Sequence, residues 1–139
     1  MERVGVFAPE TEAEARERYD SLETTAQSVV REGARTMAFD SDEYDERVTD
    51  EVIETARETL FASLLAVRVG TREEFQGWQN ETDVEVVELG SEHVDNVAWH
   101  APPFADTAVA ATFQDEQEAA VETLRRQAYG RLYAEMLDS

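Results

Sequence analysis

The sequence contains no cysteine and no lysine. Without cysteine the chain has no disulfide framework, no thiolate metal site and no cysteine nucleophile. It also lacks the glycine-rich phosphate-binding loop, the dinucleotide-binding fingerprint and the Gly-x-Ser-x-Gly turn of hydrolases. These absences argue against the common nucleotide-binding and hydrolase classes, and we predict no catalytic residues and no cofactor.

Long apolar runs are missing as well. The longest run, Leu60–Val67, is far shorter than the ~20 residues that a membrane-spanning helix needs. The N-terminus has no basic stretch followed by an apolar segment, so no signal peptide is expected. The sequence therefore predicts a cytoplasmic protein with no membrane partner.

Negative charge is what the sequence has in excess. Aspartate and glutamate number 32 against 12 basic residues, all of them arginine, for a formal net charge of −20. Self-repulsion of this size is tolerable in molar salt, where the Debye length falls to about 3 Å. Arginine also retains a capacity for bidentate pairing with carboxylates. We therefore predict a single salt-adapted domain over residues 1–139 from a halophilic cytoplasm, with solvent cations at its carboxylate surface.

Helical periodicity dominates the N-terminal half. Thr11 and Thr71 are each followed three positions later by glutamate, the pattern of a capping box at a helix N-terminus. Asp40 or Ser41 caps a long helical stretch that a break near Thr49 divides. The predicted helices cover residues 11–19, 22–39, 40–67 and 71–79, with Gly70 ending the third.

From Val84 onward the apolar residues alternate with a period of two, which is typical of strands. The predicted strands cover residues 84–89, 97–101 and 108–113. Pro102–Thr107 joins the last two as a hairpin loop, and an amphipathic helix over residues 115–137 follows. The sequence thus predicts an α+β fold with a mainly helical N-terminal half, a small three-stranded antiparallel meander and a long C-terminal helix. A short strand at Val4–Phe7 is a further candidate for this sheet.

The stretch from Trp99 to Phe104 is the most distinctive of the chain, because two prolines stiffen a loop flanked by aromatic residues. Exposed aromatic side chains often anchor binding, so Trp99, His100 and Phe104 are candidate binding residues. Tyr129 and Tyr133, one turn apart on the final helix, extend this set. The competing interpretation is that these aromatic residues fill the core between sheet and helix.

Both histidines lie in the strand region, close in sequence to carboxylates. Because histidine titrates near neutrality, His93, Asp95 and His100 form an alternative metal-ligating or acid–base set. No spacing here matches a ligand motif such as His-Glu-x-x-His. Scattered surface histidines are therefore the primary interpretation, with no metal site.

Arg125, Arg126 and Arg131 form the densest positive patch of the chain. Such a patch could grip a phosphate or an acidic partner. However, Glu122 lies four residues before Arg126, and Glu135 lies four residues after Arg131. We therefore expect each of these arginines to form an ion pair within the helix. Nucleic-acid binding needs a basic face, which this acidic chain does not offer. The expected partner is instead a second copy of the chain, as a homodimer, or another protein.

Three segments carry a resemblance to a known family. They are Phe7-Ala8-Pro9-Glu10-Thr11, Gly70-Thr71-Arg72-Glu73-Glu74-Phe75 and Asp95-Asn96-Val97-Ala98-Trp99-His100. With them, the sequence resembles over nearly its whole length a small uncharacterised family of haloarchaeal proteins, a domain of unknown function. The resemblance implies a haloarchaeal origin and brings no activity and no site residues with it.

A non-enzymatic binding or interaction module is the function that these observations favour. It would use the sheet and hairpin region or an exposed helix face. The rival hypothesis is a small metal-binding protein or enzyme built on His93, His100 and nearby carboxylates. A structure separates the two by showing whether the Trp99–Phe104 loop lines a cavity, and whether the two histidines share a face.

Overall fold

A five-stranded sheet with helices on both faces forms the centre of the molecule. The computed structural model describes residues 1–91 and 93–137. Within these ranges no helix is both long and apolar enough to cross a membrane. The elements are β1 (Glu2–Val4), α1 (Glu12–Ser21), α2 (Glu23–Thr36), α3 (Ser41–Arg47), α4 (Asp50–Leu64), β2 (Val67–Thr71), α5 (Arg72–Asn80), β3 (Glu85–Leu89), β4 (Asn96–His100), β5 (Thr107–Phe113), α6 (Gln117–Ala128), a π-helical turn (Tyr129–Tyr133) and α7 (Ala134–Leu137).

The strand order is β1-β2-β4-β5-β3. β3 runs parallel to β5, and the other neighbours are antiparallel. The predicted three-stranded antiparallel meander is therefore wrong, although an α+β fold is present. The alternation of apolar residues identified β3, β4 and β5 as strands, but it carries no information on which strands pair. β5 lies between β3 and β4 in the sheet. The connection from β3 to β4 therefore has to cross β5.

The strand β2 lies where the sequence predicted the end of a helix. α4 stops at Leu64, and the chain becomes extended at Leu65. Val67 and Val69 are buried while Arg68 between them is exposed, which is the period-two pattern of a strand. A continuous apolar run fits the end of a buried helix as well as the start of a buried strand, and length alone could not place the boundary.

Side-chain caps fix where the helices begin. Thr11, Asp40 and Thr49 each accept a hydrogen bond from the backbone N–H three residues later, at the starts of α1, α3 and α4. Thr71 and Glu74 form the complete reciprocal capping box at the start of α5. The predicted caps and the predicted break near Thr49 are confirmed.

Three apolar clusters hold these elements together. α6 packs against one face of the sheet, where its buried residues meet those of β2, β4 and β5. α5 covers part of the opposite face and places Phe75 against Val97 and Trp99. The third cluster joins α1, α4 and the C-terminal segment around Phe61, which is fully buried.

The C-terminal helix is interrupted where a continuous helix over residues 115–137 was predicted. α6 ends at Ala128, and the turn Tyr129–Tyr133 has π-helical hydrogen bonding before α7 begins. Both tyrosines of this turn meet the Phe61 ring edge-on, with ring centroids at 5.8 Å for Tyr129 and 5.2 Å for Tyr133. The turn therefore belongs to the core and offers no exposed aromatic face.

Candidate functional site

Arg3, Arg68 and Trp99 form a row across three neighbouring strands. Arg3 is the register partner of Arg68, and Arg68 is the register partner of Trp99. Partners in register place their side chains on the same face of a sheet, with Cβ atoms about 5 Å apart. The row therefore brings two guanidinium groups and an indole ring together on one face of the sheet.

No carboxylate among the described residues pairs with either arginine of this row. In the described part of the chain, neither Arg3 nor Arg68 takes part in an ion pair, a side-chain hydrogen bond or a cation–π contact. Other arginines are engaged: Arg57 pairs with Asp20, and Arg72 pairs with Glu88. Like charges directly opposite each other destabilise a sheet. Repulsion between these two arginines therefore lowers the stability of the sheet locally. An anion bound between them would remove this repulsion.

A cavity of about 280 Å³ opens beside this row. Arg3, Arg68 and Trp99 line it, together with residues 8–10 and 101–103. Proline side chains in both of these segments give the cavity rigid, apolar walls. Glu10 adds one carboxylate, so the lining carries two positive charges and one negative charge when His100 is neutral.

Trp99, the third residue of this row, is fully buried. Its ring packs against Phe75, at 5.2 Å between centroids, and against Trp78, at 5.8 Å. Within residues 1–91 and 93–137, the buried indole Nε1 has no hydrogen-bond acceptor. A buried donor left unpaired costs about 1–3 kcal/mol, so this N–H is a local destabilising feature of the residue that lines the cavity.

His100 is also buried but fully hydrogen-bonded. Its Nδ1 lies 2.8 Å from the carbonyl oxygen of Ala66, and its Nε2 lies 2.7 Å from the hydroxyl of Tyr133. A carbonyl only accepts, so Nδ1 carries the proton and Nε2 accepts from Tyr133. Burial lowers the pKa of His100 to about 4, and the positive charge of Arg125 acts in the same direction. At neutral pH His100 is therefore uncharged and links β4 to Ala66, the residue before β2, and to the C-terminal turn.

The three residues of the alternative metal-ligating set are placed in different environments. His93 and Asp95 are exposed, whereas His100 is buried with both ring nitrogens occupied. Among the residues that the structure describes, no three His, Asp or Glu side chains are grouped so that they could hold a metal ion. No geometric observation supports a shared metal or acid–base site at these positions.

A family relationship covers most of the chain. Residues 6–134 match a family of unknown function, DUF5809. The chain belongs to this family. No curated protein and no solved structure matches it significantly. Membership of DUF5809 brings no activity, so the function has to be argued from the cavity itself.

The aromatic residues predicted for binding lie mostly in the core of this DUF5809 protein. Trp99 and Tyr133 are fully buried, and Tyr129 is 9% exposed. Half-buried Phe104 meets the ring of Tyr133 edge-on, at 5.8 Å between centroids. His100, Phe104 and Tyr133 are thus brought together, while Trp99 lies on the other face of the sheet. The Trp99–Phe104 segment both seals the core and contributes Trp99 and residues 101–103 to the cavity wall.

Sequence reasoning missed the two arginines of the cavity. Arg68 follows a stretch that was predicted as helix, and Arg3 precedes the candidate strand Val4–Phe7. A signal was present, because Val67-Arg68-Val69 alternates apolar and charged residues. Recognising β2 would have placed Arg68 on the face opposite the valines. Its pairing with Arg3 depends on strand register, which the sequence pattern does not encode here.

Proposed function

We propose that this protein is a non-enzymatic binding module, and that its cavity beside Arg3, Arg68 and Trp99 takes a small organic anion. The observation that carries the proposal is the pair of guanidinium groups, in register and without a partner among the described residues, in a chain of net charge −20. With 32 carboxylates available, a purely structural arginine pair would be expected to lie beside one. An anion that enters from solvent satisfies both arginines at once.

The cavity favours a ligand with one carboxylate or phosphate group and a compact apolar body. The planar guanidinium groups can each donate two parallel N–H bonds to the oxygens of a carboxylate or phosphate, which a point charge cannot do. The proline walls favour an apolar body, and a cavity of about 280 Å³ limits its size.

Trp99 also supplies the means of testing the proposal. The variant Trp78→Phe leaves Trp99 as the single tryptophan, and its indole N–H cross-peak and fluorescence can be followed while phosphate, acetate or benzoate is added at constant KCl. We expect both signals to saturate. Arg68→Gln should weaken binding by about tenfold or more, because a charge-assisted hydrogen bond contributes roughly 1.5–3 kcal/mol.

Arg131→Gln is the matched control, because Arg131 is exposed, lies outside the cavity and donates to Gln127 at 3.2 Å. It should bind as the parent does. An indole signal that no anion moves would contradict the proposal. Equal weakening by Arg68→Gln and Arg131→Gln would also contradict it, because the effect would then reflect only the overall charge.

We also propose a setting for this module: a single salt-adapted domain in the cytoplasm of a haloarchaeon, acting with a second copy or another protein. The charge of −20 and the absence of lysine support salt adaptation. The exposed side chains of Val29, 50% accessible, and Met37, 69% accessible, support a protein contact on the α2 side. Light scattering in molar KCl measures the assembly state, and a monomer with no partner would remove this part of the proposal.

A further inference from the structure

A second and larger cavity lies between α4 and α6. Its volume is about 490 Å³, within the roughly 300–1,000 Å³ typical of small-molecule sites. It shares no lining residue with the cavity beside Arg3 and Arg68. The charged and hydroxyl-bearing residues that line it are Glu58, Thr59, Ser63, Glu118, Glu122, Arg125, Arg126 and Tyr129.

The α6 wall of this cavity presents two arginines. Arg125 is held in place by the carbonyl oxygens of Leu65, 2.9 Å from its Nε, and Val4, 3.4 Å from its Nη2. Burial lowers the pKa of Arg125, and no carboxylate among the described residues pairs with it. Arg126 makes no ion pair within residues 1–91 and 93–137 either, so the Glu122–Arg126 pair expected from the helical spacing is not formed. This wall offers unused N–H donors to a ligand.

The α4 wall offers the opposite chemistry. The hydroxyl of Thr59 donates to the carbonyl of Thr55 at 2.9 Å, and the hydroxyl of Ser63 donates to the carbonyl of Leu60 at 2.7 Å. Each hydroxyl hydrogen is therefore used within the helix, and only oxygen lone pairs remain for a ligand. Glu58 adds a negative charge to the same wall.

We propose that this cavity binds a free α-amino acid as its zwitterion. The carboxylate of the ligand would lie against Arg125 and Arg126, and its ammonium group would lie toward the acceptors of the cavity. Three glutamates and two arginines leave the lining with one net negative charge. The site therefore prefers dibasic amino acids, whose second ammonium group neutralises this excess, over neutral ones, and it disfavours acidic ones.

Calorimetric titration of the full chain carrying Arg68→Gln, which weakens the first cavity and leaves the lining of this one intact, tests the proposal at constant KCl with lysine, alanine, glutamate, acetate and methylamine as ligands. Acetate and methylamine each carry one half of the zwitterion. We expect alanine to bind at least about tenfold more tightly than either, because only a zwitterion engages both walls. Lysine should bind more tightly than alanine, and glutamate should bind least among the amino acids.

Arg126→Gln is the variant of choice, because Arg126 is exposed and makes no ion pair or hydrogen bond in the described part of the chain, whereas Arg125 holds the backbone near β1 and β2. It should weaken alanine binding about tenfold, and Glu122→Gln should reduce the preference for lysine over alanine. Arg131→Gln, on the next turn and outside the cavity, should change neither. Amino acids that give no heat, acetate or methylamine that bind as tightly as alanine, or an Arg126→Gln variant that binds normally would each overturn the proposal.

Discussion

His100 places a titratable ring in the core, where two hydrogen bonds hold it and burial favours its neutral form. Its pKa is about 4 in the folded chain and about 6.5 in the unfolded chain. Between these values the unfolded chain binds a proton that the folded chain does not. The stability that this residue contributes is therefore complete above about pH 6.5 and is lost as the pH falls toward 4.

This residue gives the first prediction on stability. His100→Gln removes the titration while it retains a donor and an acceptor, and denaturant unfolding should be measured between pH 4 and pH 7. The parent should lose about 3 kcal/mol more than the variant across this range. His93→Gln, which changes an exposed histidine, should follow the parent profile. Parallel profiles for His100→Gln and the parent would show that His100 does not cause the acid sensitivity.

At the scale of elements, the junction between the N-terminal segment and the end of α4 depends on one glycine. Phe7 donates to the carbonyl of Leu64 at 2.9 Å and accepts from the N–H of Ala66 at 2.7 Å, which fixes this segment beside the start of β2. Gly5 turns the chain there with φ of +113°. A Cβ on Gly5 would lie 2.5 Å from the carbonyl oxygen of Leu65. Only glycine fits both the dihedral angle and the close approach.

Gly5→Ala should therefore destabilise the fold by roughly 3 kcal/mol, since it adds backbone strain to a clash with backbone atoms. Gly33→Ala is the matched comparison, because Gly33 lies within α2 and an added Cβ would meet no atom within 4 Å. It should stabilise by about 0.5–1 kcal/mol, the helix-propensity difference. Denaturant unfolding of both variants measures the two effects, and equal signs would contradict this account of Gly5.

At the scale of the whole molecule, the ion pairs among the described residues involve few of the carboxylates. The ion pairs that the structure describes involve Asp20, Glu32, Glu54, Glu74 and Glu88, a small part of the 32 carboxylates. Arg131, which was predicted to pair with Glu135, instead donates a hydrogen bond to Gln127. Dissolved salt must then screen the repulsion between the carboxylates that no ion pair neutralises.

Diluting KCl from molar concentration to about 0.1 M should lower the melting temperature, because the Debye length lengthens from about 3 Å to about 10 Å. A loss of about 2 kcal/mol would lower Tm by roughly 8 °C in a chain of this size. NaCl at the same ionic strength as the molar KCl should retain the stability, since screening depends on ionic strength. A melting temperature that is independent of KCl would contradict salt adaptation.

Local signals predicted local structure well. Thr11, Asp40 and Thr71 cap helices as expected, because a cap depends on residues three positions apart, and the predicted break near Thr49 is present. β3, β4 and β5 were found from alternation of apolar residues. β2 was missed because its apolar run continues directly from a helix. The candidate site was only half foreseen: Trp99 was named, while Arg3 and Arg68 were not.

The sequence by itself determined composition-level properties and element types: the charge of −20, the α+β character, the helix caps and three of the strands. Tertiary structure alone decided the parallel pairing of β3 with β5 and the register that places Arg3, Arg68 and Trp99 in one row. It also decided that His100 and Tyr133 are buried as a hydrogen-bonded pair. The physical reason is range. Caps and periodicity act within one turn or strand, whereas pairing, register and desolvation arise from contacts between residues far apart in the chain.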